Sequence, residues 1–155
     1  FTVATAQTAG GFAESGTIEA DAVRVALADA PATVWASALD GRPIRASARI
    51  LVTHLTDVQN TGVHYADEDL RIITSHGGLP YLMRRGTAEV SVVRAADAPD
   101  VRVWALDATG ARRCEMPSRM EAGRLVFTVD VARDPRQATY LYEIAAADVA
   151  AGSVR

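Results

Sequence analysis

The sequence predicts an all-β fold, an antiparallel two-sheet β-sandwich of about ten to twelve short strands. Apolar and polar residues alternate with a period of two through most of the chain, which is typical of half-buried strands. Turn-forming Asp, Gly and Pro residues separate the alternating runs at the intervals expected for a sandwich. No run has the length and period of a long helix.

The length of 155 residues fits a single domain and is too short for a (β/α)₈ barrel of the usual size. We expect residues 1–147 to form one β-sandwich domain and residues 148–155 to form a frayed tail. A chain of this length buries roughly 68–70% of its unfolded surface, so its core needs neither a metal nor a disulfide.

In the first half of the chain, strands are predicted over residues 1–5, 18–30 and 34–39, from about residue 44, and over residues 49–56. The run 49–56 is apolar on both faces, which predicts a central strand. The Asp-Gly pair at positions 40 and 41 predicts a tight hairpin between the third and fourth of these strands.

The second half begins with the weakly structured residues 57–69, followed by strands that alternate in the same way. These predicted strands cover residues 81–83, 88–93, 101–106, 112–116, 125–131 and 138–144. Asp107 and Gly110 predict a hairpin between the strands 101–106 and 112–116. In the last strand, Tyr142 and Ile144 share one face and Glu143 lies on the other.

Composition excludes several classes of function. All 16 basic residues are arginine, so chemistry that needs a lysine is excluded. The net charge of −3 argues against a nucleic-acid partner, whose electrostatic footprint would be strongly basic. No apolar run approaches the ~20 residues that cross a bilayer, so no membrane partner is expected.

The cellular compartment stays open, because the single Cys114 cannot form an internal disulfide. A secreted or periplasmic chain and a cytoplasmic one would have the same cysteine content. Residue 1 is Phe, and the first residues already alternate like a strand. We therefore expect the chain to be a piece of a longer polypeptide, cut close to a domain boundary.

Candidate metal ligands lack the spacing of a known site. His54, His64 and His76 are too far apart in sequence for a structural zinc motif, and we expect His54 to be a hydrogen-bonded core or interface residue. The acidic residues 67–69 could contribute to a calcium site, but a solvated loop is the favoured interpretation. No metal and no cofactor are predicted.

Catalytic residues are not predicted either. No Gly-x-Ser-x-Gly elbow is present. Cys114 follows two arginines, which would lower a thiol pKa if they lay close to it. Because no histidine is near in sequence, we interpret Cys114 as an inert strand residue. Glycosidases need two carboxyl groups at a set separation in space, which the sequence does not define.

Four aromatic residues are candidates for carbohydrate binding, because sugar rings stack on flat aromatic faces. Tyr65 and Tyr81 lie in or next to predicted loops, where their rings can reach a ligand. Trp35 and Trp104 lie within predicted strands, which favours packing against the sheet or in the core.

Several motifs resemble the C-terminal β-sandwich region of large bacterial glycoside hydrolases. In that region, a Leu-Asp-Gly-x-Pro-Ile-x-x-Ser-x-Arg-Ile-Leu segment follows the catalytic barrel. Residues 34–44 and 47–53 of this chain resemble that segment. The similar segments elsewhere are residues 1–8, 60–62, 78–80, 85–90, 105–112 and 140–144.

The resemblance implies a non-catalytic accessory domain that packs against the catalytic domain of the same polypeptide and stabilises it. It implies no catalytic residue in this chain, since the carboxylates of such enzymes belong to the barrel. Two alternatives stay open. The first is a carbohydrate-binding module, with a polysaccharide as the partner. The second is an independent hydrolase, which would need two carboxyl groups in one cleft.

Overall fold

Residues 1–134, 136–147 and 149 are described by the structure, a computed structural model in which the regular elements are β-strands and one 3₁₀ turn. The predicted all-β antiparallel sandwich is confirmed. The described strands are β1 (Thr2–Ala4), β2 (Thr8–Ala13), β3 (Thr17–Ala20), β4 (Val23–Leu27), β5 (Ala32–Ala38), β6 (Arg49–Leu55), β7 (Val58–Thr61), β8 (His64–Tyr65), β9 (Ile73–Ser75), β10 (Gly78–Met83), β11 (Thr87–Val93), β12 (Val101–Leu106), β13 (Arg112–Met116), β14 (Ser118–Glu121), β15 (Arg124–Asp130) and β16 (Leu141–Ala146).

Two main sheets form the sandwich. The larger has seven strands in the order β1-β2-β5-β6-β16-β12-β13, and the smaller has five in the order β14-β15-β11-β4-β3. Their facing sides bury one core, to which the large sheet contributes Val34 and Tyr142 and the small sheet contributes Val90 and Phe127. The rings of Phe127 and Tyr142 meet across the two sheets with centroids 6.5 Å apart.

The strands are more numerous than predicted, because one predicted run contains two strands and five strands (β2, β7, β8, β9 and β14) lie outside the predicted runs. Residues 18–30 contain most of β3 and all of β4, separated by a turn in which Asp21 has a φ of 44°. The stretch 57–69, predicted to be weakly structured, contains β7 and β8. A period-two pattern does not reveal a two-residue turn inside a run, since alternation continues across it.

One predicted hairpin is wrong in detail. β5 pairs with β6 across residues 39–48, and Ile44–Ala46 form a 3₁₀ turn where a strand was expected to begin. The Asp40 carboxylate organises this connection by accepting hydrogen bonds from Ser47 Oγ (2.8 Å) and Ala48 N (2.7 Å). Burial raises the pKa of Asp40, but these hydrogen bonds outweigh it and lower the pKa overall.

Other local predictions are confirmed. β6 lies fourth among the seven strands of the large sheet, as its apolar faces predicted. The hairpin between β12 and β13 forms where Asp107 and Gly110 predicted it, and the Asp107 carboxylate accepts hydrogen bonds from Thr109 N (2.8 Å) and Ala111 N (3.0 Å).

The chain end is only partly described. Of the predicted frayed tail 148–155, only residue 149 lies within the described residues. The domain boundary after residue 147 therefore stays a prediction.

Tyr142 ties the two sheets together at the end of β15. Its side chain is fully buried, and its hydroxyl accepts a hydrogen bond from Asp130 N (2.9 Å) and lies within donating distance of Asp130 O (3.1 Å). Burial raises the pKa of Tyr142 to about 12. The hydroxyl therefore stays protonated and acts as a structural hydrogen-bonding group.

Candidate functional site

A β-ribbon made of residues 57–84, here called the arm, connects the two sheets and packs against neither. β7 pairs with β10 and β8 pairs with β9, so the arm is one antiparallel ribbon closed by the loop 66–72. The chain enters the arm from β6 in the large sheet and leaves it for β11 in the small sheet. No residue between 55 and 85 is buried.

Hydrogen bonds order the arm along its length. At its base, Arg84 N donates to Asp57 O (2.8 Å) and Thr56 Oγ1 donates to Arg84 O (2.6 Å). Further out, Asn60 Nδ2 donates to the carbonyl of His76 (2.8 Å), and Thr61 Oγ1 donates to that of Pro80 (2.7 Å). Side chains thus supplement a two-stranded ladder that would be marginal by itself in water.

Large apolar side chains are concentrated on the arm and face solvent. Of the twelve exposed large apolar or aromatic residues in the described part of the chain, seven belong to the arm. They are Val58, Leu70, Ile72, Ile73, Leu79, Tyr81 and Leu82. Leu79 is 75% exposed and Tyr81 is 68% exposed. Exposed apolar residues concentrated in this way are typical of interaction surfaces.

Both faces of the arm carry apolar side chains. Val58 pairs with Met83 and Asn60 pairs with Tyr81, and these four residues share one face because their positions differ by two along each strand. Leu82 pairs with Gln59 on the opposite face. A partner that covers the apolar part of the arm must therefore contact it from two sides.

The tip of the arm is acidic. Asp67 accepts a hydrogen bond from the amide of Asp69 (3.1 Å), and the Asp69 carboxylate lies 3.9 Å from Arg71 Nε. Within the described residues, no group of three or more His, Cys, Asp or Glu side chains could hold a metal ion. His64 and His76 also belong to the arm, and His54 belongs to the core.

The structure separates the four aromatic candidates into two places. Tyr65 and Tyr81 lie on the arm, on β8 and β10. Trp35 and Trp104 lie on the outer face of the large sheet, where Trp35 pairs with Thr53. Three strand spacings separate the two tryptophans, which puts them at least roughly 14 Å apart.

Each tryptophan already has an intramolecular partner. The guanidinium carbon of Arg112 lies 5.1 Å from the ring centroid of Trp104, a cation–π distance. The ring centroid of Trp35 lies 6.2 Å from that of Phe1. Tyr81 is the most exposed ring of the four candidates, since Tyr65, Trp35 and Trp104 are half-buried.

The sequence did not predict a buried ion cluster on the outer face of the large sheet. Glu143 is 2% exposed, and its two carboxylate oxygens accept hydrogen bonds from Arg49 Nε and Arg112 Nε, each at 2.6 Å. Glu143 does lie opposite Tyr142 and Ile144, as the alternation predicted. Its burial depends on arginine stems from β6 and β13, which are distant in sequence. Because both oxygens are occupied, Glu143 is a structural anchor.

His54 is buried in the core, as predicted, with 1% exposure. The predicted hydrogen bond is missing at Nδ1, which has no partner among the described residues. Burial lowers the pKa of His54, and the nearby carboxylates of Asp130 and Asp29 counteract this only in part. The imidazole is therefore held in its neutral form.

Acidification is expected to destabilise the sandwich through His54. The unfolded histidine takes up a proton near pH 6.5, whereas the folded one resists until a lower pH, so the unfolded state binds more protons. This contribution to stability is complete above pH 6.5 and is lost as the pH falls from there towards the folded pKa. Its slope is at most about 1.4 kcal/mol per pH unit.

Urea unfolding between about pH 5 and pH 7 measures this slope. We expect His54→Leu to flatten the pH dependence of the unfolding free energy and the control His76→Leu, on the exposed arm, to leave it unchanged. An unaltered slope in His54→Leu would show that another group is responsible.

In comparisons with known proteins, the chain matches no protein-family model, no curated protein and no solved structure.

No helix in the described part of the chain is long and apolar enough to cross a membrane.

Proposed function

We propose that this chain is a non-catalytic accessory β-sandwich that docks, through the arm, onto the catalytic domain of a glycoside hydrolase in the same polypeptide. The observation that carries the docking is the apolar surface of the arm, exposed on both of its faces. The glycoside hydrolase class of the partner is supported by the sequence resemblance of residues 34–44, residues 47–53 and the other motifs.

The two-sided apolar surface favours a receptor in the form of a groove. A flat partner would bury Val58 and Tyr81 but leave Leu82 in water, since these residues lie on opposite faces. The ribbon is already ordered by its own hydrogen bonds, so docking costs less conformational entropy than ordering a flexible loop would. Exposed leucines and tyrosines that become buried supply the favourable free energy.

A non-catalytic role fits the polar groups described above. Glu143 is held by two arginines, and Asp57 accepts a hydrogen bond from Gln59 Nε2 (2.8 Å). The Asp40 and Asp107 carboxylates organise turns. These carboxylates therefore have structural partners.

The test starts from the coding sequence on the N-terminal side of Phe1. We expect it to encode a glycoside hydrolase barrel whose melting temperature, in the full polypeptide, falls when residues 1–155 are deleted. A flanking sequence without a hydrolase domain would contradict the proposal. So would a full polypeptide and a truncated one that melt at the same temperature.

A carbohydrate-binding module is the second candidate, favoured by the exposed ring of Tyr81. A flat aromatic ring with a hydroxyl is suited to the apolar face of a sugar ring. The same full polypeptide distinguishes the two candidates. Retention in polysaccharide gels that is lost in Tyr81→Ala would support sugar binding over docking.

A further inference from the structure

A groove of about 550 Å³ lies beside the edge strand β13, far along the chain from the arm. Its lining includes Cys114 and Ala105, which pair across β13 and β12. It also includes Arg133, Arg136 and Thr139, from the segment between β15 and β16. The volume falls within the range of small-molecule sites, roughly 300–1,000 Å³.

Positive charge dominates this groove in a chain whose net charge is −3. Three arginines line it, Arg113, Arg133 and Arg136, together with one carboxylate, Asp134. The side-chain balance is therefore +2. A local excess of this sign attracts anions and raises their concentration at the groove.

The single carboxylate is already engaged. Asp134 Oδ2 accepts a hydrogen bond from Arg113 Nη2, and Asp134 Oδ1 accepts one from the amide of Arg136 (2.8 Å). The hydrogen bond from Arg136 N and the pairing with Arg113 lower the pKa of Asp134. Within the described residues, the guanidinium groups of Arg133 and Arg136 form no ion pair.

We propose that this groove binds the anionic group of a small ligand, a carboxylate, sulfate or phosphate, between the guanidinium groups of Arg133 and Arg136. Guanidinium N–H groups match the oxygens of such anions and form paired, charge-assisted hydrogen bonds with them. The inference is independent of the docking arm, because the two surfaces share no residue.

Cys114 provides a reporter within the groove. It is the only cysteine of the chain and is exposed, so thiol reagents modify one defined position. Both kinds of reagent react with the thiolate and need access to it, but only a negatively charged reagent is also attracted by the local potential, so the ratio of the two rates isolates that attraction. An anion held at the groove reduces the access of both.

The first measurement compares the rates at which Cys114 reacts with the dianionic 5,5′-dithiobis(2-nitrobenzoate) and the neutral iodoacetamide. We expect the rate with the dianion to fall several-fold between about 20 mM and about 300 mM NaCl, because salt screens the arginines. The rate with iodoacetamide should hardly change. In Arg133→Gln/Arg136→Gln, the salt dependence with the dianion should be lost.

The second measurement adds sodium sulfate, phosphate or glucuronate at constant ionic strength. Protection of Cys114 by sulfate or phosphate alone would support a tetrahedral oxyanion as the ligand group, and protection by glucuronate would support a carboxylate. The control Arg102→Gln/Arg119→Gln removes two exposed arginines elsewhere and should behave like the wild type.

Two outcomes would overturn the inference. One is the absence of protection by all three anions. The other is equal protection in the wild type and in Arg133→Gln/Arg136→Gln. Since Arg133 and Arg136 are exposed, the double variant is expected to fold, which circular dichroism verifies.

Discussion

Replacing residues 59–82 by an Asn-Gly turn is expected to abolish docking while leaving the sandwich folded. The variant joins Val58 to Met83, which already face each other in the ladder, through a turn suited to two-residue hairpins. Because the removed residues include none that are buried, we expect the melting temperature to stay within a few degrees of the wild type.

The loss of affinity should be large. Leu79, Tyr81 and Leu82 are more than half exposed and would be buried at the centre of the interface. A hot-spot residue at the centre of an interface typically costs about 2 kcal/mol or more when it is truncated. Because excision removes all three of these side chains together, we expect at least a roughly 100-fold weaker Kd for the catalytic domain. Isothermal titration of the isolated chain against that domain measures it.

A matched pair of variants separates docking from surface hydrophobicity in general. Leu79→Ser/Tyr81→Ser changes exposed residues of the arm. The control Met120→Ser changes a residue of β14 whose exposed fraction is 59%. Only the arm variant should weaken binding. Unchanged affinity after excision of the arm would place the docking surface elsewhere on the sandwich.

Glu143→Gln is expected to cause the largest loss of stability from a single substitution in the ion cluster, about 3 kcal/mol. The glutamine keeps the size of the side chain but presents an NH₂ group to one of the two arginines, so two donors face each other. Arg49 and Arg112 then hold positive charge with side chains only 22% and 16% exposed. For a chain of this length, such a loss lowers the Tm by about 6–12 °C.

Two controls define the origin of this effect. Glu115→Gln breaks the exposed pair with Arg102 (3.1 Å) and should cost less than about 0.5 kcal/mol. Arg49→Met/Glu143→Leu/Arg112→Met replaces the whole cluster by apolar side chains and should recover most of the stability. If Glu143→Gln unfolds at the same urea concentration as the wild type, the cluster does not contribute to stability.

Local patterns were sufficient to predict the class of the fold and several of its elements. Alternation identified β6 as a central strand and β11 and β15 as strands with one core face, because a period of two determines which side chains share a face. Turn-forming residues correctly predicted the hairpin at Asp107 and Gly110. The same kind of signal failed at Ile44, because an Asp-Gly pair marks a turn without defining how many residues the connection needs.

The candidate site was only partly accessible from the sequence. Tyr65 and Tyr81 were singled out, but the pairing of β7 with β10 that displays Tyr81 lies in a region predicted to be partly irregular. A leucine or isoleucine is normally predicted to be a core residue, so the sequence does not show that those of the arm are exposed. Only the tertiary structure distinguishes an apolar residue that has a partner from one that has none.

Short-range patterns in the sequence define the secondary-structure class and which residues of each strand share a face, since these depend on neighbours within a few positions. The packing of the whole chain buries Glu143 between Arg49 and Arg112, keeps the arm apart from both sheets, and brings Arg113 and Arg133 into one groove with Cys114. Each of these depends on contacts between strands far apart in the chain. A local pattern carries no information about such contacts, because the spatial order of the strands is set by how the whole core packs.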